Sequence, residues 1–196
     1  GAASIGVLTS RVTVEGPMMK DKSSFILGGR MTYSDWLLGL LPESSGYKDG
    51  KAGFYDLNAS FNFALSERDA VFVNGYFSRD RFRFDEDELY RYRNANASAR
   101  WRHIFTPEFI GSFTVAYDHY DYDFEYTATP ANANVMQFKI DQVTTKADLT
   151  WFSFAKHEPG FGLNAHYYNF KPGACGPLVA ESGRRYESHS RENDLV

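Results

Sequence analysis

The chain has 196 residues, 43% hydrophobic, and its 21 basic and 25 acidic side chains leave a net charge of −4. Mean hydropathy is −0.45, and the longest apolar run, 36–41 with Gly39 inside it, is far short of the ~20 residues a membrane-spanning helix needs. That excludes a helical membrane span but not a transmembrane barrel, in which only every second residue of a strand faces lipid. No polybasic run marks a nucleic-acid partner, and the single Cys175 can form no internal disulfide. The aromatic fraction of 17% fits a membrane interface, where Tyr and Trp keep one end apolar and one end wet, and fits an aromatic-rich soluble sandwich equally.

Taken in chain order, residues 5–15 read as a strand, 16–22 as a turn and 23–33 as a second strand. In that second strand Phe25, Leu27, Gly29, Met31 and Tyr33 lie on one side, and Arg30 and Thr32 on the other. Ser34 and Asp35 resemble an N-cap for one or two helical turns over 36–41, stopped by Pro42. The clearest strand is 54–65. Tyr55, Leu57, Ala59, Phe61, Phe63 and Leu65 alternate there with Asp56, Asn58, Ser60 and Asn62, the period-two signature of one apolar and one polar face.

Residues 66–69 form a polar turn, and alternation restarts at Val71, Val73, Gly75 and Phe77. The acidic run 85–88 interrupts it. Ala95, Ala97, Ala99 and Trp101 then alternate with Asn94, Asn96, Ser98, Arg100 and Arg102. After a turn at 105–108, residues 109–125 read as one long strand. A loop at 127–134 leads to Val143, Thr145, Ala147, Leu149 and Trp151, which alternate with Thr144, Lys146, Asp148 and Thr150. A turn at 155–159 leads to the last strand, 161–168. The expectation is an all-β antiparallel meander of about eight strands.

Connection lengths alternate. The turns near 16–22, 66–69, 105–108 and 155–159 are mostly tight, and the connections near 34–53, 85–89, 125–134 and after 171 are mostly longer. Short turns at one end and long loops at the other are the habit of outer-membrane barrels. A strand over 109–125 exceeds the ~9–11 residues that cross the hydrocarbon, so 119–123 should stand above the bilayer, where alternation could lapse. Residues 1–172 are therefore expected to be partial barrel wall, and 173–196 a divergent tail or loop. Residues 1–8 carry no signal-peptide pattern, and 183–196 are polar without strand pattern. Both ends read as margins of something larger.

The text is more specific than its periodicity. Ser10-Arg11-Val12-Thr13-Val14-Glu15-Gly16-Pro17, Lys20-Asp21-Lys22-Ser23-Ser24-Phe25 and Gly29-Arg30-Met31-Thr32-Tyr33-Ser34-Asp35-Trp36-Leu37-Leu38 resemble early barrel strands of TonB-dependent receptors of the Bacteroidota, SusC-like or closely related importers. Gly75-Tyr76-Phe77-Ser78-Arg79-Asp80-Arg81-Phe82 and Tyr117-Asp118-His119-Tyr120 look similar to the same family. The resemblance implies a large transmembrane barrel of the 22-stranded type in the bacterial outer membrane. It further implies a plug domain, energy from the TonB complex, and, for a SusC-like member, a SusD-like lipoprotein lid. On this reading the chain is a fragment of the barrel domain, surrounded by outer-membrane lipid and the remaining barrel strands.

Candidate functional residues follow from the polar face. Arg30, Arg100, Arg102, Lys146 and Asp148 should face the lumen, pairing with neighbouring strands or with the plug. The acidic run 85–88 lacks the glycine and ligand offsets of a calcium loop and reads as a solvated tip. His103 and His119 each stand alone in the sequence, so no metal site is expected. No phosphate loop, nucleophile elbow or Cys pair appears, and neither enzyme nor cofactor is expected. Two alternatives remain: a self-contained eight-stranded outer-membrane barrel acting as anchor or adhesin, and a soluble β ligand-binding protein with its apolar face turned inward.

Overall fold

The computed structural model describes residues 1–45, 50–83, 87–152, 157–179, 182–183, 185–188 and 192–195. The acidic run therefore lies partly outside the described residues, as does the turn expected at 155–159. The eight expected strands are present as β2 (Thr9–Met19), β3 (Ser23–Thr32), β4 (Lys51–Ala64), β5 (Asp69–Arg83), β6 (Glu88–Thr106), β7 (Phe109–Tyr126), β8 (Asn134–Trp151) and β9 (Gly160–Pro177). Three short strands join them: β1 (Ala2–Ile5), β10 (Glu187–Ser188) and β11 (Glu192–Leu195). All belong to one open antiparallel sheet in chain order, with β10 and β11 both paired to β9.

The N-terminal hairpin differs from its expected outline. The strand expected over 5–15 breaks after Ile5, where the Gly6 N–H donates to the Thr9 carbonyl at 2.8 Å, so β1 folds back on β2. Residues 16–19, expected in the turn, stay in β2. The turn closes over 20–22, with Asp21 at φ 58°. Ser34 precedes a single helical turn, α1 (Asp35–Leu38), but makes no side-chain cap. Its hydroxyl donates instead to the Ala52 carbonyl, and Asp35 accepts the Ala52 N–H at 2.9 Å. The loop is thus pinned to the start of β4. At the other end, β9 continues past Pro172 to Pro177, and the polar residues after it still pair with β9 through backbone. Ladder hydrogen bonds need no apolar alternation.

From β3 to residue 171 of β9, outside the register shifts, paired positions have the same parity. Odd-numbered residues therefore share one face and even-numbered residues the other. On the odd face an apolar band runs across the sheet through 57–63, 71–77, 95–101, 111–117, 143–151 and 161–167. Nothing in the described sheet covers it: Leu57 is 55%, Val115 51% and Leu163 80% exposed. A continuous uncovered apolar surface of this kind marks a face that meets a membrane or a partner. Nine residues of β8, 143–151, rise about 26 Å along the strand, or roughly 20 Å in height at a barrel tilt of 35–45°.

Rings edge this band. Near the short turns Trp101 stacks on Phe113 at 5.4 Å, and Phe105, Phe109 and Trp151 follow at 5.3 and 5.9 Å. Gly111 sits beneath them; a Cβ there would come within 2.8 Å of the Phe105 ring. The Trp101 Nε1–H donates to Asp69 at 3.0 Å, which also meets His103 Nδ1 at 2.7 Å and accepts the Ser66 hydroxyl at 2.7 Å. One carboxylate thus ties the β4–β5 turn to the end of β6.

Candidate functional site

The even face is polar over the depth of the apolar band. Ser60 donates to Asn74 at 2.8 Å, and Asn96 donates to Asp118. His166 lies 3.1 Å from Gln142, 3.0 Å from Thr144 and 2.7 Å from Asn164. All five polar residues singled out in the sequence fall on this face by register. Arg30 bridges Asp56 at 2.7 Å and lies over the Phe54 ring at 5.0 Å. Arg100 lies over Phe72 at 4.4 Å, and Lys146 meets Asp148 at 3.0 Å. Arg102 lines a shallow cleft with Asn62 and Phe72. They form separate pairs on β3, β6 and β8, not one cluster.

Beyond the row in which Phe77, Ala95, His119 and Asp141 are paired, the two faces exchange character. Alternation does not lapse there, as expected for 119–123; it inverts. The odd face turns ionic. Arg93 donates to Asp121 at 2.7 Å, Arg91 bridges Glu125 at 2.8 Å, and His119 lies 2.6 Å from Asp141 and 2.9 Å from Asp121. His119 is therefore not isolated, because residues two apart on a strand share a face. No group of three or more metal-ligating side chains with metal-site geometry occurs among the described residues.

The even face turns aromatic over the same length. Tyr90 and Phe124 rings lie 4.8 Å apart, Tyr92 and Tyr122 5.1 Å, Tyr120 and Phe138 6.1 Å, and Phe138 and Phe170 5.1 Å. These cross-strand pairs make a continuous ring surface over β6–β9, within the distances at which aromatic pairs attract. A groove of about 330 Å³ opens in it, lined by Tyr92, Tyr120, Tyr122, Met136, Phe138 and the backbone turn at Pro172 and Gly173. That turn is a bulge: the pairing jumps from Lys139↔Lys171 to Gln137↔Ala174. Gly173 takes φ +147°, a conformation side chains disfavour. A ring surface with hydroxyls at its edges can stack a ring-bearing ligand and hydrogen-bond its rim. The sequence carried the signal in Tyr120-Asp121-Tyr122-Asp123-Phe124-Glu125, where aromatics fall on even and charges on odd positions.

No family model and no curated protein matches this chain. Among solved structures its fold is similar to the crystal structure of BauA, the ferric preacinetobactin receptor from Acinetobacter baumannii. The TM-score is 0.65 at 12% identity, covering 87% of this chain and 30% of that one. The likeness is one of fold, and the chain spans 30% of the receptor's length. What the two share is an antiparallel β-meander.

Proposed function

We propose that this chain is a piece of the barrel wall of a TonB-dependent receptor in the bacterial outer membrane, part of an energy-coupled nutrient importer. The carrying observation is the exchange of faces at the Phe77–Ala95–His119–Asp141 row. A wall with lipid outside and water inside needs an apolar outer and polar inner face within the bilayer. Above the bilayer its outer face meets water and turns ionic. A soluble sandwich gives no reason for such a change partway along β6, β7, β8 and β9 in register. The fold likeness to a ferric preacinetobactin receptor and the family text at 10–38 support the receptor class.

In this reading Arg30, Arg100, Arg102, Lys146 and Asp148 line the lumen and meet the plug, while the aromatic surface on β6–β9 forms the inner wall of the outer mouth, where cargo arrives. The remaining strands complete a barrel of the 22-stranded type. The TonB complex acts through the plug, and a SusD-like lid belongs to the SusC-like form of the proposal. The test is biochemical. The full-length protein should fractionate with outer membranes, need detergent to stay monomeric, and bind the periplasmic domain of TonB. A protein that is monomeric in water without detergent and gives sharp folded-state spectra would overturn the reading.

A further inference from the structure

On the odd face, in the two rows beyond the apolar band, four arginines form a block. Arg79 stands directly opposite Arg93, and Arg81 opposite Arg91, on adjacent strands. Like charges placed opposite one another on a sheet repel. Across the next ladder, Asp121 and Glu125 of β7 compensate Arg93 and Arg91. Arg79 and Arg81 are exposed and have no ion-pair partner among the described residues. Above the band, the described carboxylates on the strands of this face lie on β7 and β8, as Asp121, Asp123, Glu125 and Asp141, and none lies on β4, β5 or β6; Asp87 stands just ahead of β6, four residues from Arg91. The opposite face at this level carries Asp56, Asp80 and Asp118. An anion is thus drawn to the odd face of β5 and β6.

The height of the first row, Arg79 with Arg93, points to the anion, and Arg81 with Arg91 stands about 5 Å higher. Arg79 follows Phe77, the last apolar residue of β5 on this face, by two positions. That is about 7 Å along the strand and about 5 Å in height at barrel tilt, inside the ~5–7 Å headgroup layer bordering the hydrocarbon. Tyr55 lies beside Arg79 on β4 and suits the same boundary. A guanidinium grips phosphate oxygens in pairs.

We propose that Arg79 and Arg81, backed by Arg91 and Arg93, bind the phosphate groups of an anionic glycolipid in the outer leaflet. The inference rests on the barrel-wall reading above, which sets this face outward.

Native mass spectrometry of the full-length protein in detergent tests it. The probes are a bis-phosphorylated lipid A, the same lipid with its phosphates removed, and inorganic phosphate. The expected result is retention of the phosphorylated lipid alone, weakened roughly tenfold or more in R79Q/R81Q and weakened less in R79K/R81K, which keeps the charge without the paired grip. The single variants R79Q and R81Q should each show part of the loss, and they carry the test if the double variant does not fold. Equal retention of the dephosphorylated lipid, no effect of the variants, or displacement by equimolar inorganic phosphate would overturn the proposal. Tryptophan quenching by brominated acyl chains in the same samples separates the two readings. Quenching without phosphate-dependent retention sinks the lipid site alone, and absent quenching sinks the barrel wall.

Discussion

His119 Nδ1 lies 2.6 Å from Asp141 Oδ1 across the β7–β8 ladder, at the row where the two faces of the sheet exchange character. The same ring reaches Asp121 two residues along its own strand at 2.9 Å. One imidazole thus joins two strands where the odd face passes from apolar to ionic.

This junction carries a pH dependence. The Asp141 hydrogen bond, against the opposing effect of burial and with help from Asp121, raises the His119 pKa above its usual 6.5. A pKa raised on folding adds stability that is complete below the unfolded value and fades as pH climbs through the folded one. Asp141, hydrogen-bonded by Tyr117 and His119, is shifted the other way, below 3.8, and its contribution fades as pH falls through that lower value. The junction should be tightest between about pH 4 and 6.5. A side-chain NMR titration of His119 should give a midpoint above 6.5; a midpoint at or below 6.5 contradicts the pairing.

Charge tolerance should alternate with parity. Val115→Arg and Ala97→Arg put a cation on the apolar band and should cost about 2–4 kcal/mol in a bilayer. Ala116→Arg and Ser98→Arg, one residue along and on the opposite face, should cost under about 1 kcal/mol. Denaturant unfolding of the full-length protein in lipid vesicles measures the difference, and equal costs would contradict the assignment of faces.

The Arg30–Asp56 pair is asymmetric. The Asp56 side chain is 7% exposed and that of Arg30 54%. Arg30→Met strands a buried carboxylate and should cost about 2 kcal/mol, below the 3–5 of a fully buried pair because Arg30 reaches solvent. Adding Asp56→Asn should restore most of the loss. A double-mutant cycle on unfolding free energies reads the coupling directly.

Gly173 should resist substitution for conformational reasons alone. A Cβ there meets nothing within 4 Å, yet φ is +147°. Gly173→Ala should therefore cost about 1–3 kcal/mol, while Gly75→Ala, where φ is ordinary and the nearest atom is 3.9 Å away, should cost little. Thermal unfolding of the two variants side by side tests the contrast.

The meander was legible because the long strands β3 to β9 alternate apolar and polar side chains over much of their length, as 54–65 displays most plainly. Boundaries were less legible where pairing depends on backbone alone. Residues 16–19 contain Gly16 and Pro17, which read as a turn, yet the β2–β3 ladder runs through them with a register shift. The strands after Pro177 carry no alternation, and ladder pairing at the β9 edge requires none. Arg30, Arg100, Arg102, Lys146 and Asp148 share one face as alternation requires, and their role at the lumen belongs to the proposal. The aromatic surface on β6–β9 escapes a reading that follows alternation as a single pattern per strand. In β7 the alternation changes sign between Tyr117 and His119, so one phase does not describe the whole strand.

The most direct measurement of the central claim is the accessibility of spin labels along β7. With Cys175 replaced by Ser, single cysteines at positions 113 to 124 of the full-length protein would carry nitroxides in lipid vesicles. Labels at 113, 115 and 117 should collide with oxygen and be shielded from a polar nickel complex, and labels at 114 and 116 the reverse. From 119 onward the odd positions should become open to the nickel complex. An odd–even pattern that never changes sign, or labels at 113 to 117 all open to the nickel complex, would contradict a membrane wall whose outer face leaves the lipid at His119.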